Sequence, residues 1–411
     1  MFLSLSQWLS YVESLHPQNI ALGLERVDSI AEKLKLSTCS SKVFTIAGTN
    51  GKGSSAAFLS AILQAAGYRT AVYTSPHLLR FNERICINGA LVSDEMLVEA
   101  FQVIEEGRGD TALTYFEFTT LAAFYLFPQA NVDVWILEVG LGGRLDAVNL
   151  IDPDVAIITT IALDHMDWLG EDREKIGAEK AGIMRSHVPV VCGDSDPPNS
   201  LLSAAKRIFS PIFCINQHFS YAIHPSFWSF ESERVCYPNL PLPSLPVQNA
   251  AAVLMALSLS GLEYDVSAVS QGLVSAQLMG RFQEVAQPVH TILDVAHNPQ
   301  SGAYLAERLK QLPYSGKTLA VVGMLKDKDI VNTLKPLLSC VDGWYVASLD
   351  VPRGENAKNI ANYLHELGVT AYDTAASPLS AYHSAVGACS ASDRVVVFGS
   401  FYTVAEVLGS F

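Results

Sequence analysis

Near-continuous apolar runs separated by helix-length stretches set the tightest limit on how this chain can fold. Residues 43–47 (Val-Phe-Thr-Ile-Ala), 70–73, 132–137, 155–159 and 188–191 are short, rich in β-branched side chains, and lack the alternation of a half-exposed strand. Strands of that kind are buried on both faces, the condition of a mostly parallel sheet covered by helices. Helices are predicted over 54–66 and 248–257. The stretch 209–246 differs: it holds Pro, Ser and the aromatics Phe219, Trp228, Phe230 and Tyr237 with little helical period. Short antiparallel strands are expected there, at the edge of the first domain. A second α/β series follows Arg281, with strands at 291–293, 318–322, 344–347 and 394–398. With 411 residues the chain needs more than one core. The expected fold class is α/β: a P-loop-type, mostly parallel sheet domain with a small antiparallel edge (1–282), then a C-terminal Rossmann-like α/β domain (283–411).

Charge and cysteine usage narrow the function classes. The net charge is −14 and no Lys/Arg-rich run occurs, so a nucleic-acid binder that relies on a basic footprint is disfavoured. The seven cysteines are scattered without a C-x-x-C pair, which fits reduced thiols in a cytosolic protein. The N-terminal run Met1 to Pro17 lacks a basic n-region and a small-residue cleavage site, and is read as an amphipathic helix. No apolar run reaches the length of a membrane span. A cytoplasmic protein is expected, and a monomer, since no heptad or repeat suggests assembly.

The strand ending at Ala47 runs into Gly48-Thr49-Asn50-Gly51-Lys52-Gly53-Ser54. Glycines let backbone N–H groups turn onto phosphate oxygens, and the following helix N-terminus adds partial positive charge. Lys52 can reach terminal phosphates, and a hydroxyl such as that of Ser54 can meet Mg²⁺. The spacing departs from a regular Walker A, because Gly53 separates Lys52 from Ser54. Gly51-x-Gly53-x-x-Ala56 also fits a dinucleotide fingerprint, but the next strand ends Tyr73-Thr74-Ser75-Pro76-His77 without the carboxylate that a ribose needs. A plain Gly-rich turn is the remaining alternative.

Glu138 ends an apolar strand, where ligands of a parallel sheet collect, and could hold Mg²⁺ or instead pair with Arg144. His165 follows the next strand end, beside Asp164 and Asp167. Imidazole is not a usual Mg²⁺ ligand, and the residues alone favour a structural or surface role. Lys180 lies among small residues in Gly177-Ala178-Glu179-Lys180-Ala181-Gly182, and nothing local distinguishes it.

Taken in order, these motifs resemble the Mur ligase superfamily, most closely its folylpolyglutamate and dihydrofolate synthases, over nearly the whole chain. The resemblance rests on the loop Gly48 to Ser54, Thr74-Ser75-Pro76-His77-Leu78, Glu138 to Ala147, Asp164-His165, Glu179 to Ile183, Asp294-Val295-Ala296-His297-Asn298-Pro299 and Phe398-Gly399-Ser400-Phe401. It implies an ATP-dependent amide ligase that adds L-glutamate to dihydropteroate, giving dihydrofolate, and to reduced folates, giving polyglutamates. The reaction would pass through an acyl phosphate and release ADP and phosphate.

The same resemblance implies roles for individual residues. Gly48, Thr49, Asn50, Gly51, Lys52, Gly53, Ser54, Asn249, Arg281 and Asp294 would bind ATP. Two Mg²⁺ ions would be held by Ser54, Ser75, Glu138, His165 and a carbamylated Lys180, which exchanges a positive charge for hard oxygen ligands. Lys52, Lys180 and His297 would be catalytic, His297 facing the incoming amino acid. Thr114, Tyr115, Phe116 and Glu117, with Leu145, Asp146 and Ala147, would cradle the pterin; periodicity alone supports an apolar helix face of Tyr115, Phe116 and Phe118. Ala21, in the run Ile20 to Arg26, stands where related bifunctional enzymes often carry Asp. Closure of the second domain near Arg281 would keep water from the acyl phosphate.

Overall fold

A computed structural model describes residues 4–16, 21–286, 288–312 and 314–411. It divides into two compact units, Met1–Gln277 and Leu278–Phe411. The division precedes the 282/283 boundary drawn from the sequence. The Phe282 N–H donates to Asp294, and Gln283 to Val285 pair with Leu293 to Thr291, so this segment packs with the second core.

In the first unit, eight strands form one sheet: β1 (Lys42–Ala47), β2 (Thr70–Tyr73), β3 (Ile85–Ile87), β4 (Ala90–Leu91), β5 (Val134–Glu138), β6 (Val155–Ile158), β7 (Val190–Cys192) and β8 (Ile212–Cys214). Their order is β4-β3-β2-β5-β1-β6-β7-β8. The strands from β2 to β8 in that order run parallel. Every residue of β5 and β6 is buried, as their continuous apolar character predicts.

The antiparallel edge of this sheet is β3 and β4; the short antiparallel strands expected within 209–246 form a sheet of their own. A turn at Asn88 (φ 51°) and Gly89 (φ 77°) joins the two strands. Asn-Gly suits that left-handed pair and is a strong hairpin signal, one the sequence reading passed over. Within 209–246, β8 joins the parallel sheet. The remainder forms a separate antiparallel sheet of β9 (Phe219–Ile223), β10 (Trp228–Ser232) and β11 (Cys236–Leu240), in the order β11-β10-β9.

The second unit holds β12 (Gln283–Val285), β13 (Thr291–Leu293), β14 (Thr318–Val322), β15 (Gly343–Ala347), β16 (Tyr372–Ala375) and β17 (Arg394–Phe398), in the order β12-β13-β17-β14-β15-β16. All pairs but β12–β13 are parallel. Among the described residues no helix is long and apolar enough to cross a membrane.

The helix Tyr115–Gln129 begins in a capping box: Thr114 accepts from the Glu117 N–H, and Glu117 accepts from the Thr114 N–H. The other Glu117 oxygen takes Arg26 at 2.8 Å, and Arg26 also donates to the Ala21 carbonyl. One buried carboxylate therefore fixes both the helix start and the segment entering from Ala21. Thr114→Ala removes the cap acceptor and should lower stability by about 1 kcal/mol, read as a shift in the denaturation midpoint; an unchanged midpoint would assign the fixing to Arg26 and Glu117 alone.

Candidate functional site

The phosphate-loop candidate leaves β1 at the sheet centre, and its conformation is set by two glycines against which neighbours pack tightly. At Gly48 (φ +149°) an added Cβ would fall 1.8 Å from Thr159 Oγ1. At Gly51 (φ +93°) it would fall 2.6 Å from Asn249 Oδ1. Thr159 Oγ1 donates to the Asn50 carbonyl at 2.7 Å, and the Thr49 N–H donates to the Thr160 carbonyl at 2.6 Å. Thr49 Oγ1 both donates to the Ala162 carbonyl and accepts the Ala162 N–H. The helix Lys52–Ala65 starts at Gly51 with no side-chain cap. Its first amides are thus donors that an anion can take.

Two lysines meet on this loop. Lys52 Nζ donates to the carbonyls of Gly48 (3.1 Å) and Thr49 (3.3 Å), and Lys180 Nζ donates to Gly48 at 2.9 Å. Lys180 ends the helix Arg173–Lys180 and is only 3% exposed. Burial first, then the Lys52 charge, bring its pKa down to about 7, against the pull of Asp164 and Asp146. This placement was invisible in the local sequence.

Glu138 is buried at the end of β5, level with Ile46 of β1, and accepts the Ser75 N–H at 3.3 Å. Arg144 pairs with Glu179. His165 adopts a left-handed conformation (φ 51°), its N–H bonded to Asp164, on the loop after β6. That loop is clamped at Ile161, whose N–H donates to Asp194 and whose carbonyl accepts from Arg173. Ser54 is buried in the first turn of its helix. Among the described residues no three His, Cys, Asp or Glu side chains form a self-contained cage. Magnesium that shares its ligands with nucleotide phosphates does not require one.

The pterin candidates lie at the start of the helix Tyr115–Gln129 and in the segment after β5. Tyr115 and Phe116 are partly buried; Phe116 lies 5.9 Å from Tyr73 and fills the space beside Gly140. Leu145 is partly exposed and Ala147 is buried. Asp146 accepts the Leu141 and Val148 N–H groups, and burial pushes its pKa up to about 7. Glu117 is engaged by Thr114 and Arg26, a structural duty that its sequence position did not reveal.

In the second unit, Asp294 follows β13 and accepts from the N–H groups of Phe282 and Ala296. Burial raises its pKa, opposed chiefly by Arg281. His297 Nδ1 donates to the Val295 carbonyl, and its ring lies 6.3 Å from Phe401. The Arg281 guanidinium sits 5.1 Å from the centre of the Phe401 ring.

Two family models match the chain: the Mur ligase middle domain over residues 46–214, and the Mur ligase glutamate ligase domain over 280–401. The dihydrofolate synthase/folylpolyglutamate synthase of Escherichia coli K12 is 47% identical over 404 residues, 98% of this chain and 94% of that protein. The chain belongs to the Mur ligase family. An E. coli FolC structure in complex with DHPP and ADP superposes with a TM-score of 0.96 at 46% identity, covering 99% of this chain and 97% of that one. A bifunctional folylpolyglutamate synthase/dihydrofolate synthase with Mn, AMPPNP and L-glutamate bound gives 0.94 at 46% identity, covering 99% and 98%.

Beyond the residues anticipated for a Mur ligase, the site includes Thr159 and Thr160, which hold the loop, and the Arg173–Asp194 pair that clamps Ile161. The polar Thr-Thr step closing an apolar strand was a readable signal; the Arg173–Asp194 pairing was not. Lys180 generates a prediction about pH. From about 7 to the ordinary 10.5 the unfolded chain keeps the Lys180 proton and the folded chain does not, so stability rises with pH there. In CO₂-free buffer, Lys180→Met should be most stabilising at or below pH 7, and its advantage should shrink as pH rises. Chemical denaturation checks this; a pH-independent advantage would mean that the ammonium is solvated.

Proposed function

We propose that this protein joins L-glutamate to dihydropteroate and to reduced folates at the expense of ATP. The substrate carboxylate takes the γ-phosphoryl group, ADP leaves, and the glutamate amine attacks the acyl phosphate and expels phosphate. The observation that carries the reading is the pair of lysines on the Gly48 carbonyl, at an uncapped helix N-terminus and beside a buried strand-end carboxylate. Joining two anions requires above all that charge be neutralised.

Within that reading, the loop Gly48 to Ser54 cradles the phosphates and Lys52 turns from its loop carbonyls to the γ-phosphate. Asn249, packed on Gly51, supports the nucleotide; in the second unit Arg281 and Asp294 do the same, and His297 serves the amino acid. The donor set of Ser54, Ser75 and Glu138 offers the hard oxygens that Mg²⁺ takes, with His165 and carbamylated Lys180 serving a second ion. Bound Mg²⁺ supplies further positive charge to the phosphoryl oxygens. A Lys180 pKa near 7 supports carbamylation: a neutral amine adds to CO₂ and gives up a proton, while an ammonium does not. Thr114 to Glu117 and Leu145 to Ala147 form the wall for the pterin.

Phosphate release should require ATP, Mg²⁺, glutamate and a pterin acid together, with a product heavier by one glutamyl unit for either acceptor. Release with ATP alone would point to an ATPase. Lys52→Ala should abolish turnover in this assay; near-normal turnover would remove Lys52 from the phosphate site. Lys180→Ala should be weak and recover in part with small carboxylic acids. Full activity of a Lys180 shown by intact mass to be unmodified would overturn the carbamate.

A further inference from the structure

We propose that Arg84 recognises the carboxylate of the pterin acid, an inference that rests on the substrate class just assigned. Arg84 ends the short helical turn Phe81–Arg84 that leads into β3 and is 8% exposed. Its Nε–H donates to His77 Nδ1 at 2.9 Å. Its guanidinium stands 5.5 Å from the Phe81 ring centre and 5.3 Å from that of Tyr115, so two aromatic rings and one imidazole fix its plane.

What it lacks is an anion. Among the described residues no carboxylate pairs with it; the adjacent Glu83 is taken by the N–H groups of Leu78, Leu79 and Arg80 at 2.6–2.8 Å. A buried guanidinium is ordinarily paired, because leaving the charge uncompensated is costly. With Nε engaged, the remaining edge presents Nη1 and Nη2, a two-pronged donor that matches the two oxygens of a carboxylate. Unlike the enclosed Nη1 of Arg394, neither is a sealed, unpartnered atom.

The surroundings identify the ligand. Tyr115 opens the helix whose first turn holds the pterin candidates. His77 lies two residues beyond Ser75, on the loop whose N–H meets Glu138. Arg84 therefore touches the first helical residue of the proposed pterin wall and, through His77, the segment that carries the proposed metal ligand Ser75. An acid whose pterin is held by Thr114 to Glu117 and whose carboxylate must reach a metal-bound phosphate near Ser75 passes this guanidinium. A free phosphate or a second nucleotide would not need the aromatic side of this setting.

The test compares dihydropteroate with its neutral methyl ester, each bound to enzyme holding Mg²⁺ and AMPPNP, in the parent protein and in Arg84→Gln. Loss of a charge-assisted pair should weaken the acid roughly 10- to 100-fold and leave the ester nearly unchanged, while AMPPNP binding is retained. Equal weakening of acid and ester, or of neither, would overturn the proposal. Arg84→Lys keeps the charge without the two-pronged edge and serves if the Gln variant does not fold. Its acid-to-ester preference should fall several-fold, and an unchanged preference would equally overturn the role. Tetrahydrofolate, which carries an amide at the benzoyl carbon and its carboxylates on the glutamyl group, locates the contact: weakening of dihydropteroate with tetrahydrofolate spared supports a contact at the benzoate carboxylate, whereas weakening of tetrahydrofolate alone refutes it. Failure of the parent protein to bind dihydropteroate would strike at the substrate assignment itself, a result distinct from any of these.

Discussion

The carbonyl oxygen of Gly48 accepts from two lysine ammonium groups, and much of the first unit is arranged around that shared acceptor. Putting two like charges on one oxygen is unfavourable unless something nearby compensates or one of them gives up its proton. Asp164 and Asp146 favour the Lys180 charge, but burial, with the Lys52 charge second, outweighs them and brings its pKa down to about 7. The result is a loop that is electrostatically ready for an anion, with one lysine that can change its chemical state near neutral pH.

Both units use the same geometric device. Parallel strands end on one side, and the chain turns there through segments free to carry polar groups. In the first unit these turns hold the phosphate loop, Ser75, Glu138 and His165; in the second they hold Asp294, His297 and the Phe398 to Phe401 corner. At that corner Gly399 (φ +112°) has no room for a side chain, since a Cβ would meet the Gly323 carbonyl at 2.5 Å.

The central strands were legible because burial on both faces leaves a continuous apolar run; β13, β14 and β17 keep the bounds read from the sequence. Local signals did less well where tertiary packing decides. Lys180 reads as an ordinary lysine until its helix is laid against Gly48. The Arg26 partner of Glu117 lies 91 residues away in the sequence, so no local signal announces that pair. The β3–β4 hairpin, in contrast, was announced by Asn88-Gly89 and was missed only because its strands are short and one is exposed. The ordered motifs carried family membership far better than any single residue carried its role.

The two close contacts on the phosphate loop bear on how such a sequence can drift. Thr159 Oγ1 and the Asn249 carboxamide occupy the volumes that side chains at 48 and 51 would need. Each partner also touches the loop from a different element, one just past β6 and the other on the helix Val247–Ser260. Substitution at any of these four positions is therefore constrained by a residue more than 100 places away in the chain. Viable lineages should change them in concert or leave them alone, and a chimera that takes the loop from one homologue and the β6 end from another inherits the mismatch at once.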